Sequence, residues 1–452
     1  MKGICDALRR FYGGIAYPIS VAAFVLLGHA TGLDVPFGVL LLLSLVPALW
    51  LCTDLRFAVA PMICFLFLVS AKDYSPDDTG FEERFLRPEV LIPIILTALL
   101  VIVSLVAFCL KNAKSAEKLR SRPLLWGVVA FCGVLLFNGL FSEKYTFKNF
   151  VFAFLFAVTM LGVYLLFAAY LKIDRTTVDY VMFCFLLAGV VVAAELILAY
   201  FTTVQFVDGE IVKGSVVLGW GVWTTIGGML AFLMPAAFYF AASKKHGWIA
   251  FLIGLFEFFC ILLSQSRGAL LVGAVSLVPC LLYLVLRGEN RKYNRIWTAI
   301  LAVGALGVVL LFSEKLLGLV QNFLEFGFAD NGRFEIWQIG LGHFLNNPVL
   351  GSGFYDSYTT IEWERAFDPY LYHNTVVQLL GACGLLGFLA YGYHRFTTLR
   401  AIFRRPNACK IFLGVSLFSL LAFSLLDVLF FKLYPTLFYG VMLVLIENSE
   451  QA

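Results

Sequence analysis

Three stretches, residues 90–110, 151–171 and 270–286, are almost unbroken runs of apolar side chains. Each approaches the ~20 residues a helix needs to cross the hydrocarbon of a bilayer. No water reaches a peptide group inside lipid, so a spanning chain must satisfy its backbone within a helix or a closed barrel. Barrel strands alternate apolar and polar residues, and these runs do not. Composition agrees, with 61% of residues hydrophobic and only 14% charged. A soluble protein carries roughly a quarter charged residues, and so few charges would not solvate a large water-facing surface. The expected class is all-α, a polytopic helical membrane protein.

The same criterion marks about fourteen candidate spans: residues 14–31, 35–53, 57–71, 89–110, 123–141, 149–171, 177–200, 217–242, 248–264, 268–286, 297–313, 374–393, 411–430 and 433–447. The expectation is about 12–14 transmembrane helices in one membrane domain over residues 1–452. The first span follows Lys2, Arg9 and Arg10 and shows no small-residue cleavage site, so it reads as an uncleaved helix. With the N-terminus in the cytoplasm and the spans alternating, three basic clusters share the cytoplasmic side. They are Lys111/Lys114/Lys118/Arg120/Arg122, Arg287/Arg291/Lys292/Arg295 and Arg395/Arg400/Arg404/Arg405/Lys410. That is the bias the positive-inside rule requires, and it places both termini in the cytoplasm. The net charge of +4 therefore describes topology, and no nucleic-acid partner is expected. None of the ten cysteines falls in an external loop, so they read as small apolar packing residues. No internal repeat of the kind common in transporters is visible.

One connection is long, the extracytoplasmic loop at 314–372. Asp330-Asn331-Gly332 signals a turn and helix start. Phe334, Trp337, Leu341, Phe344 and Leu345 then recur at helical spacing, and Asn346-Asn347-Pro348 ends the run. A short amphipathic helix is expected near 332–346, lying at the interface or on the bundle.

Three residues on this side carry candidate chemistry. Arg267, in Ser264-Gln265-Ser266-Arg267-Gly268, sits between two apolar runs with almost no loop. A guanidinium kept so close to hydrocarbon reads either as a bidentate clamp on phosphate oxygens or as a snorkelling arginine at a tight turn. Arg333 opens the loop helix, where a cation gains nothing from the helix dipole. It is either a solvated first-turn residue or a cation kept for an anion. His373, where the loop re-enters the membrane, is either a proton acceptor near neutral pH or an inert interfacial residue. Glu195, Glu257 and Asp427 fall inside spans and are open between structural pairs, ion sites and a polar cavity. No His, Cys and acid cluster has metal-ligand spacing, so no metal and no cofactor are expected. The loop sets Lys315, Arg333 and Arg365 against Glu314, Glu325, Asp330, Glu335, Asp356, Glu362, Glu364 and Asp368. Anion binding there must rest on a few placed arginines.

Four passages resemble the O-antigen ligase and polymerase superfamily of bacterial envelope glycosyltransferases. Ser264-Gln265-Ser266-Arg267-Gly268 is similar to its Ser-Arg-Gly element. Asn331-Gly332-Arg333 with Trp337 is similar to its arginine-led loop helix, with tryptophan where ligases place a leucine. Pro348-Val349-Leu350-Gly351-Ser352-Gly353 is similar to its Pro-x-x-Gly-x-Gly turn. His373-Asn374 with Gly384 and Gly387 matches its His-Asn-x9-Gly-x-x-Gly element. The resemblance covers about residues 263–387. It implies a metal-independent, inverting glycosyltransferase of the bacterial cytoplasmic membrane with its active site outside. The donor would be a glycan on undecaprenyl diphosphate, and the acceptor a hydroxyl of a glycan, glycolipid or protein. Arg267, Arg333 and His373 would be catalytic, the arginines on the diphosphate and the histidine at the acceptor hydroxyl. Asn374, Trp337, Gly351, Gly353 and Arg365 would join the arginines in binding substrate. Membrane lipid would be the remaining partner.

A ligase is the first expectation and a repeat-unit polymerase the alternative. A lipid-linked oligosaccharide transporter, with Glu195, Glu257 and Asp427 as coupling sites, is the reading from another class. A peptidoglycan-type transferase would need an external carboxylate such as Asp356 or Glu362.

Overall fold

The computed structural model describes residues 2–70, 87–141, 147–244, 247–311, 333–353 and 372–448. The chain is a bundle of helices and an integral membrane protein. Among the described residues seven helices are long and apolar enough to cross a bilayer, eight if a bent pair counts as one span. That pair is α1 (Lys2–Gly13) and α2 (Ala16–Thr31), bent by 69°. Then come α3 (Asp34–Leu51), the short α4 (Val59–Cys64), α5 (Pro88–Asn112), α6 (Leu125–Phe141), α7 (Phe147–Tyr170) and α8 (Arg175–Thr202). A strap containing the hairpin β1 (Phe206–Val207) and β2 (Glu210–Ile211) leads into α9 (Trp223–Leu233) and α10 (Pro235–Ser243). The carboxy-terminal half holds α11 (Gly247–Leu263), α12 (Arg267–Leu286), α13 (Arg291–Leu311), α14 (Arg333–Asn346), α15 (Thr375–Phe403), α16 (Ala408–Phe423) and α17 (Leu433–Asn448).

Every segment read from the sequence as a span is helical over most of its length. Three boundaries differ. Helix α9 starts at Trp223 because Val217 and Val222 bridge across a tight turn first. Helix α15 runs on to Phe403, since hydropathy cannot see a helix end that carries Arg395 and Arg400. The 411–430 segment stops being α-helical at Phe423, and residues 424–432 form a turn with one 3-10 element. Helix α1 had no counterpart in the sequence reading. Its Ile4, Leu8 and Phe11 are exposed, and Arg9 Nε donates to Leu51 O at the far end of α3.

The α9–α10 rod is the centre of the molecule, 94% buried over its span, with α8, α11, α12 and α16 packed around it. Helix α5 is the opposite case, with 11% buried and an apolar exterior. That contrast is what lipid as solvent allows, because an apolar side chain gains nothing by leaving hydrocarbon for a protein interior.

Helix α15 is broken at Gly384, where φ is +61° and ψ −162°. The turn after α14 docks into the break. Ser352 N donates to Gly381 O (2.9 Å) and Gly353 N to Ala382 O (3.0 Å). In return Leu385 N reaches Pro348 O (2.8 Å) and Leu386 N reaches Val349 O (3.2 Å). The backbone groups freed by the break are thus satisfied by the turn, as a bilayer requires. Asn138 on α6 adds a side-chain hydrogen bond to Leu350 O.

The ends of the bundle are distinct. At one end Leu55 N meets Tyr170 O, Arg122 pairs with Glu117 and Glu447, and Lys244 pairs with Asp179. The three basic clusters belong to this end, after α5, after α12 and around the close of α15. The other end gathers the start of α9, the α11–α12 turn, the start of α15 and the 424–432 turn.

Candidate active site

The α11–α12 turn is built to expose an arginine. Gln265 takes a left-handed φ of +59°, so the chain reverses within three residues. Ser264 Oγ donates to Ile261 O (2.7 Å) and accepts from Ser266 N (3.3 Å). Ser266 Oγ then caps α12 by accepting from Ala269 N (3.3 Å). Gly227 of α9 lies directly beneath, where a Cβ would come within 2.5 Å of Ser264 Oγ. Arg267 is the first helical residue and is exposed.

The second turn presents an imidazole. His373 is left-handed at φ +49°. Before it, Tyr372 is buried, with its N–H on Gln378 Oε1 (2.9 Å) and its hydroxyl at His343 Nδ1 (2.7 Å). After it, Asn374 Oδ1 accepts from Val376 N and Val377 N, and its Nδ2 donates to Leu425 O (3.0 Å). Thr375 N reaches Ser424 O (2.8 Å). The α15 start and the 424–427 turn are therefore stitched together. That stitching sets His373 Nδ1 3.2 Å from Asp427 Oδ1.

Asp427 is nearly buried. Burial alone would raise its carboxyl. The hydrogen bond from His373, the charges of Lys432 and His373, and Thr224 outweigh it and hold the group below the usual carboxylate range. Lys432 is itself held by Thr225 Oγ1 (2.8 Å). An ionised Asp427 takes Nδ1–H, which leaves the lone pair on Nε2. His373 keeps 43% of its side chain exposed, so that lone pair is accessible.

The two turns meet. The Cα of Gly268 approaches Leu426, the residue beside Asp427, so closely that a Cβ would touch it at 3.0 Å. Arg267 and His373 thus share one end of the bundle. Arg333 opens α14, which lies on the first half of α15 with Gly340 against Tyr372 and Val377. A further cation near the two arginines is Lys213, with Nζ 5.6 Å from the Trp223 ring. Its partial burial lowers the ammonium, and the Arg267 and Arg333 guanidiniums lower it further. Lys213, Arg267 and Arg333 are therefore within electrostatic reach of one another, on the side of the bundle that holds the His–Asp pair. Trp337, one turn after Arg333, has a buried Nε1 with no hydrogen-bond partner among the described residues.

Other residues read as substrate contacts have backbone work. Gly351 and Gly353 are left-handed, at φ +72° and +109°, and a Cβ on Gly351 would lie 2.5 Å from the Ala382 carbonyl carbon. They are glycine because the turn must reach the α15 break. Both ends of the Asn374 amide are occupied in capping and stitching. Arg365, Asp356 and Glu362 lie outside the described residues. Among the described residues no group of three His, Cys, Asp or Glu side chains could hold a metal ion. None of the ten cysteines forms a disulfide among the described residues.

The three acids left open by the sequence separate cleanly. Asp427 partners His373. Glu195 is fully buried and accepts Trp220 Nε1–H (2.8 Å), which ties down the strap. Glu257 is buried against Gly189, in space that any larger residue would fill. Sequence reasoning missed Lys213, Thr224 and Lys432. Only Lys213 carried a signal, a basic residue in an external connection of intermediate length.

Residues 249–392 match the family model described as O-antigen ligase. Over that stretch the chain is similar to the O-antigen ligase family. Members are glycosyltransferase-like enzymes, ligases and polymerases, that take a lipid-linked glycan donor and a glycan acceptor. The matched part of this O-antigen ligase-like chain runs from α11 into α15. It includes Arg267, Arg333 and His373, while Lys213 and Asp427 lie outside it. No curated protein matches the chain.

Proposed function

We propose that this protein transfers a glycan from undecaprenyl diphosphate to an acceptor hydroxyl at the outer face of the bacterial cytoplasmic membrane. The observation that carries the proposal is the His373–Asp427 pair, with Nε2 accessible beside the cations. The acceptor oxygen attacks the anomeric carbon as its proton passes to His373 Nε2. The bond from that carbon to the diphosphate oxygen breaks, and undecaprenyl diphosphate leaves. Asp427 stabilises the imidazolium, as a carboxylate does for a general base. Arg267 and Arg333 take up the charge that develops on the leaving diphosphate. A single displacement inverts the anomeric centre. Guanidinium charge meets the leaving group's need, so the reaction proceeds without a metal.

Orientation follows from charge. The basic clusters belong to the end opposite His373, and the positive-inside rule puts that end in the cytoplasm. Both termini are then cytoplasmic and the site faces outward.

The test is transfer by purified protein in lipid nanodiscs from a defined lipid-linked donor. Both a second lipid-linked repeat unit and a core glycolipid are offered as acceptors. Transfer that is lost in His373→Ala and unaffected by chelator is expected, with product on the core glycolipid. Product growing only on undecaprenyl diphosphate replaces ligase with polymerase. Transfer undiminished in His373→Ala overturns the mechanism.

A further inference from the structure

We infer that Lys213 is a third cationic contact for the donor diphosphate, delivered over the site by the strap between α8 and α9. The inference rests on reading the site as a diphosphate site.

The strap is firmly placed. Asp208-Gly209 turns the β1–β2 hairpin with φ of +52° and +79°. Beyond it Gln205 N donates to Ser215 Oγ (2.8 Å), Val212 N to Gln205 O (2.9 Å) and Ser215 Oγ to Val212 O (2.7 Å). These bonds bracket Lys213 on both sides. Gly219 then packs so tightly on Ser70 that a Cβ would lie 2.6 Å from its carbonyl carbon. Trp220 is anchored to the buried Glu195. A lysine on such a strap has a defined position, unlike a surface lysine on a free loop.

That position is over the start of α9, the helix that organises the site. Trp223 sits under the Lys213 ammonium, Thr224 interacts with Asp427, Thr225 holds Lys432, and Gly227 lies beneath the serines that present Arg267. Two acids, Asp208 and Glu210, are available on the same hairpin. Yet no described carboxylate forms an ion pair with Lys213. The chain instead brings it toward Arg267 and Arg333, whose charges oppose its own. Like charges held together cost free energy unless a multivalent anion joins them. A diphosphate diester carries two negative charges and several acceptor oxygens, which suits three converging cations. Lys213 is an exposed residue, which leaves the anion room to approach.

The experiment measures steady-state transfer by the full chain in nanodiscs, with donor and acceptor varied separately and inorganic pyrophosphate as competitor. Lys213→Ala should raise the donor KM and weaken pyrophosphate inhibition by about 10- to 100-fold, the scale of one hydrogen bond to a charged group. Acceptor KM should stay within a few-fold, and Lys213→Arg should recover most of the loss. If wild-type transfer is indifferent to pyrophosphate and to Arg267→Ala, the diphosphate reading itself fails. If wild type responds to both and Lys213→Ala behaves as wild type, only the Lys213 contact is refuted.

Discussion

Replacing Asp427 with asparagine removes a charge while keeping the shape of the side chain. Asp427 Oδ1 accepts both His373 Nδ1–H (3.2 Å) and Val428 N–H (2.8 Å). An asparagine oxygen can take the same place, with its amide where the second carboxylate oxygen was. The amide then lies near Lys432, which no longer meets a negative charge. The hydrogen bond to His373 survives, but its charge-assisted part in the imidazolium does not. That part contributes about 1.5–3 kcal/mol, so kcat should fall by about 10- to 100-fold at 1.4 kcal/mol per decade. If the amide instead faces the imidazole, the wrong tautomer forms and the loss approaches the roughly 10⁴-fold seen when a triad aspartate becomes asparagine. The pH profile carries a second signature. In the native protein Asp427 stays ionised below the usual carboxylate range, so it does not titrate where the enzyme works. Without its charge the imidazolium is less favoured, so the acidic limb of kcat should move to lower pH while the plateau drops. Stability obeys the same linkage. A depressed carboxylate stabilises the fold above its unfolded-state pKa and loses that contribution as pH falls through the folded value. Thermal melts of the variant should therefore lie below wild type at neutral pH and converge with it in acid. The assay is rate against pH for both proteins in nanodiscs. An unchanged kcat and an unmoved acidic limb would refute the dyad.

Arg267→Lys should not rescue Arg267→Ala. A lysine restores the charge but not the bidentate fork, so both should lose about 10²- to 10³-fold in kcat while reaching the membrane in normal amounts. Gly384→Ala should destabilise the protein by about 2–5 kcal/mol. About 1–2 comes from a left-handed non-glycine residue and about 1–3 from driving a Cβ into the docked turn. Denaturation monitored by tryptophan fluorescence would measure it. Trp220→Phe deprives Glu195 of its hydrogen bond at a cost of about 1–3 kcal/mol. Because it also loosens the strap, donor KM should rise with little change in acceptor KM.

Much of this architecture is written locally. A run such as 90–110 has one solution in lipid, so the spans followed from hydropathy alone. The α11–α12 turn was visible as Ser264–Gly268 between two apolar runs. The loop helix was visible as a 3.6-residue period closed by Pro348, and α14 occupies Arg333–Asn346. What escaped was tertiary. His373 and Asp427 are 54 residues apart, and the Asn374 and Thr375 contacts with the 424–425 backbone bring them together. The glycines of the Pro-x-x-Gly-x-Gly turn look like ligand contacts until the break at Gly384 shows what they reach. Lys213 showed only as a basic residue in an external connection, because the sequence of a strap does not say what it lies over.

The docking of the 348–353 turn into α15 reaches beyond packing. Gly353 at the end of that turn and Tyr372 just before His373 are both held by the helix that presents His373. Two anchors on one rigid body insulate His373 from whatever joins them. A change of length or chemistry between Gly353 and Tyr372 should leave the imidazole aimed as before. Under the proposed transfer reaction, acceptor choice could be altered between those two anchors at the least cost to the His373–Asp427 pair.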